Sequence, residues 1–365
     1  MPVNTLPVFS DQTSKGLLSE VVNLIESPIS FLTLKGLLST LVDGVNITPV
    51  NNLPKILAST WSDGVYALDD NGLTHELANQ SVRGLSDDLQ GGALASIDGH
   101  SLNRRDVNGN WELLARCDYE ISTTFALDND IYAGTEDARV LVLNSNQELE
   151  QIDTFASIEG RDTWFAGTAI IDGKEVGPPL GVRSLHGASN GLLFANIHVG
   201  GIPRSIDGGA SWTPTIDVNL DAHEVCVDHN DVNLVAAATA EGLCISHDGG
   251  STWTVHTEGL HSSYCSAVKI VGQQIFVAAS ESHFTSEGAI YSRSTKPGAE
   301  IMKKVSNGLP NWLEGIVDTA CIASKSGQMA IVSALGSVYV SNNAGEQWHK
   351  RDEVVPGVSS VLIIS

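Results

Sequence analysis

From about Ile56 onward, short β-rich apolar runs alternate with polar turns made of Gly, Asn and Asp, and no long helical stretch lies between them. The runs recur as units that can be phased on a second strand. These strands begin near Ile56 (ILAST), Ala93 (ALASI), Ile131 (IYAGT), Leu192 (LLFANI), Leu234 (LVAAAT), Ile275 (IFVAAS) and Met329 (MAIVSA). Each is followed by a short loop, a third strand, a polar turn and a fourth strand.

The pattern before this region is different. Between Ser14 and Val42, apolar residues such as Leu17, Leu18, Val21, Phe31, Leu34 and Leu38 fall at helical spacing, interrupted at Ser27-Pro28. Two short amphipathic helices are expected there. The chain thus divides into residues 1–50, a helical extension, and residues 51–365, an array of β units.

A turn phrase repeats within the array. It reads Ser205-Ile206-Asp207-Gly208-Gly209-Ala210-Ser211-Trp212, and again, about 40 residues on, Ser246-His247-Asp248-Gly249-Gly250-Ser251-Thr252-Trp253. A worn copy runs from Ser341 to Trp348, with Asn343 for Asp and Gln347 for Thr. Gly allows the positive φ of a tight turn, Asp accepts hydrogen bonds from the turn's own backbone, and Trp anchors the next strand. Units one to three carry reduced turns at Asp69-Asp70-Asn71-Gly72, Asp106-Val107-Asn108-Gly109 and Asn144-Ser145-Asn146.

The phrase resembles the Asp-box of the BNR repeat family, whose members include sialidase-like and glycosyl-hydrolase-like propellers. The resemblance covers about residues 130–350. It implies an all-β, seven-bladed β-propeller in which the boxes are structural and lie between third and fourth strands. Seven units of this size suit such a ring, which leaves few exposed sheet edges. The first unit lacks an upstream strand, and Ser359–Ile364 is an unassigned apolar strand. The simplest closure puts that strand innermost in blade 1.

Charge and cysteine usage narrow the partners. Forty-three acidic residues against 20 basic ones give a net charge of −23, which argues against nucleic acid or an anionic membrane as partner. No apolar run reaches transmembrane length. Met1-Pro2-Val3 leads into no basic stretch and no apolar signal core. The five cysteines form no CxxC pair, and their odd number suits buried reduced thiols. A cytoplasmic protein is expected.

If the boxes mark the structural face, function belongs on the opposite one. There the loops between second and third strands meet those leading into the first strands. Those loops carry Trp61, Asp63, Asp98, His100, Glu136, Asp137, His198, Glu241 and Glu281-Ser282-His283-Phe284. The segments leading into first strands add Arg83, Arg183, His223 with Glu224, Tyr264 and Asp318. The connection Gly160 to Gly181 adds Arg161, Asp162 and Trp164 and is long enough to be a lid. His198, His223 and His283 occupy equivalent loop positions and are the candidate ligands for a divalent metal such as Zn, Mn, Fe or Cu, with Glu136, Glu241 or Glu281 beside them. Trp61, Arg83, Trp164 and Arg183, with Arg139, would suit a carboxylate, phosphate or sugar. Glu136, Glu241 and Tyr264 are the candidate catalytic groups; two carboxylates could support glycosidase chemistry.

A sialidase is disfavoured. The resemblance calls for an Arg-Ile-Pro phrase ahead of the first box, and Gly201-Ile202-Pro203 stands there instead. Two readings remain. One is a propeller with a small-molecule site of hydrolase or lyase type, with or without a metal. The other is a non-catalytic scaffold for a protein partner, as in photosystem assembly factors that share the repeat.

Overall fold

The computed structural model describes residues 53–164, 169–171, 174–176, 181–189, 191–298 and 301–364. The helices expected within residues 1–50 lie outside the described residues.

The described chain forms a seven-bladed β-propeller, and the strands follow the phasing read from the sequence. Blade 2 runs Val82–Asp87, Ala93–Ile97, Ser101–Arg105, Trp111–Arg116 from the inside outward; blade 5 runs Ala222–Val227, Val235–Thr239, Gly242–Ser246, Thr254–His256. Blades 3, 6 and 7 repeat this order from Ile121–Leu127, Tyr264–Val271 and Ile322–Lys325. Blade 4 has three strands, and an isolated bridge between Arg204 and Thr213 continues it outward. In blade 1 the C-terminal strand Val358–Ile364 pairs antiparallel with Lys55–Thr60 and takes the innermost place.

Burial explains this radial order. Second strands such as Val235–Thr239 (VAAAT) are buried on both faces, because neighbouring blades press on each. Their small residues allow close approach. The fourth strand of blade 7, His349–Val354, alternates toward solvent. The cores are therefore inter-blade: Phe194 of blade 4 packs with Val225, Val235 and Cys244 of blade 5.

The repeated turn joins blades as well as strands. The Asp248 carboxylate accepts from Ser251 N (3.0 Å), Thr252 N (2.8 Å), Thr252 Oγ1 (2.7 Å) and Ser246 Oγ (2.8 Å). Asp207 and Asn343 make the equivalent bonds to Ser211 N and Gln347 N. Asp106 and Asn144 do the same in the reduced turns. The second glycine of each full copy and the one glycine of the worn copy face the preceding blade: Gly209 meets Ile152, Gly250 meets Phe194 and Gly345 meets Phe276. A side chain there would collide with the neighbouring blade.

Among the described residues all five cysteines are free and four are buried. Burial pushes the Cys226 and Cys244 thiols up to about 11, so neither is a ready nucleophile. No helix among them is long and apolar enough to cross a membrane.

Candidate functional site at the axial mouth

Antiparallel pairing puts the end of each second strand beside the start of the first, at the end opposite the repeated turns. The innermost strands share a further device there. Each of blades 1 to 6 has a register shift near the top of its first strand, at Ser359, Gly84–Leu85, Ser122, Arg183, His223 and Ser266. A bulge breaks the in-out alternation and re-aims the extra residue. In three blades that residue is a serine whose hydroxyl donates to the next blade's carbonyl. Ser359 bonds Val82 O (2.5 Å), Ser122 bonds Val182 O (2.7 Å) and Ser266 bonds Val317 O (2.6 Å). The result is a polar collar around the axis.

Blade 2 has Gly84 and Leu85 at its shift, and blades 4 and 5 depart from the collar with larger polar groups. In blade 4 the bulged residue is Arg183, which makes no hydrogen bond or ion pair among the described residues. In blade 5 it is His223, which is only 2% exposed. Its Nδ1 keeps the collar bond, to Cys265 O at 2.6 Å. A carbonyl only accepts, so Nδ1 carries the proton and Nε2 is left over.

Two cavities matter. One of about 90 Å³ sits on the axis inside the collar, lined by Trp61, Arg83, Glu136, Arg183, Asp318 and Thr319, among others. Its residues come from blades 1, 2, 3, 4 and 7. Arg83 is already committed, to Glu120 (2.5 Å) and Glu136 (2.8 Å), and lies over the Trp61 ring. Arg183 is its uncommitted cation. A larger cavity of about 360 Å³ lies between the outer parts of blades 1 and 2, lined by Gln80, Asp98, His100, Asn103 and Trp111. Three of its polar groups are taken: His100 Nδ1 contacts Cys117 O, Asp98 accepts from Ser81 N, and Asn103 donates to Ser101, while Arg116 is exposed at its rim. The axial cavity is smaller, but its guanidinium, Arg183, is half-buried where five blades meet, and it is the better candidate.

Next to it lies a second group. Asp221 Oδ1 is 3.0 Å from His198 Nε2 and 3.3 Å from His223 Nε2. Backbone pairing fixes the arrangement: Ala222 N donates to His198 O (3.0 Å), and Val199 bridges Asp221. Burial raises the Asp221 carboxyl, but the two imidazoles more than offset it and hold the group well below the usual carboxylate range. Tyr264 stands against His223 with ring centroids 4.7 Å apart. Its phenol is pushed far up by burial and by the charges of Asp221 and Asp318, against the pull of Arg183. It stays protonated and can donate but not act as a base. Thr319, in the cavity wall, reaches the His223 carbonyl (3.4 Å), which joins the two groups into one mouth.

The sequence-predicted residues separate accordingly. Trp61, Arg83, Glu136 and Arg183 meet at the axial cavity; His198, His223 and Tyr264 meet beside it. Trp164 does not join them. It is 8% exposed and packs with Phe155 in an apolar cluster of blades 3 and 4, where a large ring is better sheltered than in a polar mouth. His283 is exposed against Phe284 and is no part of the imidazole group, because its loop points out to solvent. Glu241 is also exposed and lines neither cavity. Arg139 is occupied by Asp137, Gln151 and the Tyr119 ring. The lid segment falls partly outside the described residues, and its described end, Arg161–Trp164, includes the buried Trp164. Asp221 is the residue that sequence reading missed. Its signal was the i, i+2 spacing to His223 at the start of a strand.

No protein-family model and no curated protein matches the sequence. Solved structures share the fold. The computationally designed protein Ika8 superposes with a TM-score of 0.54 at 12% identity, over 84% of this chain and 90% of that one. A GH74 xyloglucanase from Xanthomonas campestris gives 0.50 at 16% identity, over 74% of this chain and 45% of the enzyme, so the chain spans less than half of that protein. YCF48 bound to D1 peptide gives 0.50 at 13% identity, over 83% and 89%. At these identities the likeness is one of fold alone.

Proposed function

We propose that the axial mouth opposite the repeated turns binds a small polar ligand by an anionic end group, and acts on it by hydrolytic or lyase-type chemistry. The observation that carries this reading is Arg183, a guanidinium at a bulge with no ion pair among the described residues, in a chain with more than twice as many acids as bases. A volume of about 90 Å³ equals roughly three waters. That suits one carboxylate or phosphate group, with the rest of the ligand at the open mouth. Arg183 would hold the anion as a fork, Trp61 would supply an apolar wall, and Tyr264 would donate a proton or hydrogen bond. Thermal-shift measurements with inorganic phosphate, citrate and neutral sugars test it. The anions should raise the melting temperature of the natural protein and leave Arg183→Gln unmoved. Equal shifts in both proteins would end this reading.

A scaffold reading is favoured by a different observation. Phe284, Leu335 and Trp61 are 74%, 67% and 54% exposed, and they sit on the second-to-third-strand loops of blades 6, 7 and 1, which are consecutive around the ring. An apolar arc of this kind fits a protein partner. YCF48 with its D1 peptide shows that a propeller of this general fold can hold a peptide. Phe284→Ser with Leu335→Ser should abolish co-purification of such a partner and leave anion binding intact.

A further inference from the structure

We infer that His198, Asp221 and His223 form a binding site for a divalent transition metal beside the axial cavity. This deepens the ligand reading above in what the metal would do, but metal binding itself does not depend on that reading.

The first observation is the collar. Where blades 1, 3 and 6 place a serine, blade 5 places a histidine that performs the same bond through Nδ1 and brings a second nitrogen that the collar does not use. The backbone acceptor sets the tautomer and the ring orientation, as a partner behind a metal-bound imidazole does. The second observation is what that nitrogen meets. Nε2 of His223 and Oδ1 of Asp221 are both buried and lack a hydrogen-bond partner, although they are 3.3 Å apart. With its proton on Nδ1, the neutral His223 ring turns a lone pair toward the carboxylate oxygen, which is repulsive; a cation between them, a proton or a metal ion, reverses the sign. His198 brings its Nε2 to the same oxygen at 3.0 Å.

The spacing fits. Three ligand atoms about 2.1 Å from a tetrahedral metal lie about 3.4 Å from one another. The two distances to Asp221 are close to this, and all three ligand atoms lie within 4.8 Å. Two imidazoles and one carboxylate suit Zn(II), Fe(II), Mn(II) or Cu(II) rather than Ca(II). Among the described residues three protein ligands converge, and Asp221 exposes 36% of its side chain. The remaining positions therefore open to the mouth, toward Tyr264 and the cavity that holds Arg183. An anionic ligand could reach the metal with one oxygen and Arg183 with another.

The test uses the full chain, stripped with a chelator and dialysed against Zn²⁺, with elemental analysis and titration, and Co²⁺ absorption as a spectroscopic readout of the ligand set. About one ion per chain should bind. Asp221→Asn, which keeps size and lies partly exposed, should weaken binding at least tenfold with an unchanged circular dichroism spectrum, and His198→Gln should do the same. Failure of the natural chain to take up metal, or unaltered affinity in Asp221→Asn, would overturn the site. Phosphate protection measured on the stripped protein keeps the two proposals apart. Metal uptake without any anion effect sustains the metal site and defeats the ligand reading; an anion effect with no metal uptake does the reverse.

Discussion

Ser59 and Ser360 stand at opposite ends of the described chain, and their hydroxyl oxygens are 2.6 Å apart inside blade 1. Ser360 Oγ also accepts a hydrogen bond from Leu85 N of blade 2 at 3.0 Å. One side chain of the last strand thus holds both the closure of its own blade and the joint to the next.

Removal of the last seven residues should therefore abolish cooperative unfolding near the natural melting temperature. The strand buries Val361 and Ile363 between blades, and each such side chain contributes about 1.5–3 kcal/mol. Ser360→Ala is the milder probe. It leaves Leu85 N without its buried partner and should cost about 1–3 kcal/mol in denaturant titration. A truncated protein with an unchanged melting temperature would show that the ring does not need this strand.

Gly250 has φ +80°, and a Cβ there would lie 2.7 Å from the Phe194 ring of the preceding blade. Gly250→Ala should destabilise by about 2 kcal/mol or more, from left-handed backbone strain together with overpacking. Adding Phe194→Leu to that variant should relieve the collision and leave the strain. Additive losses in the two-mutant cycle would argue against contact between the blades at this point.

Acid should expose the role of the repeated turns. The side-chain bond from Thr252, with the backbone bonds of the same turn, lowers the Asp248 carboxyl to about 2, below the usual carboxylate value. The folded value lies below the unfolded one. The group's contribution is thus complete above about pH 4 and is lost as pH falls toward 2. Asp248→Asn should flatten the stability–pH profile across that window and leave phosphate and metal binding at neutral pH unchanged.

Glu224 on the inner strand of blade 5 is buried. It accepts from Val268 N (2.8 Å) and pairs with Lys269 of blade 6. Burial lowers the Lys269 ammonium, but Glu224 outweighs this and holds it above its usual value. Lys269→Met leaves a buried carboxylate uncompensated and should cost about 3 kcal/mol in urea unfolding. Glu224→Gln combined with Lys269→Met should cost less than the sum of the single changes, because neither charge is then stranded. Strict additivity would show that the two groups do not interact.

Much of the architecture was legible because propeller blades are local. A strand pairs with its sequence neighbour, so Gly250, Asp248 and the runs from Ile56 to Met329 announce hairpins without knowledge of distant contacts. Which residues share the face opposite the repeated turns was also readable, since alternating strand direction follows from alternating turns. The members of the site were less so. Trp164 and Arg183 look alike as candidates in the sequence. One fills an apolar cluster and the other sits at a bulge with no ion pair among the described residues, and nothing local to either distinguishes them. His283 occupied the right kind of loop, but its loop turns outward.

By itself the sequence determined the repeat, the strand phasing and the residues available on the mouth-side loops, because these depend on turn chemistry and on near-neighbour pairing. Only the tertiary structure decided which of them meet. Bulges at Arg183 and His223 re-aim two side chains toward the axis, and the pairing of Val199 with Asp221 brings a carboxylate from one blade junction onto imidazoles of two blades. The hydrogen bond from His223 to Cys265 then fixes which nitrogen is free. These outcomes depend on register and on packing between blades, which a single strand's residues do not encode.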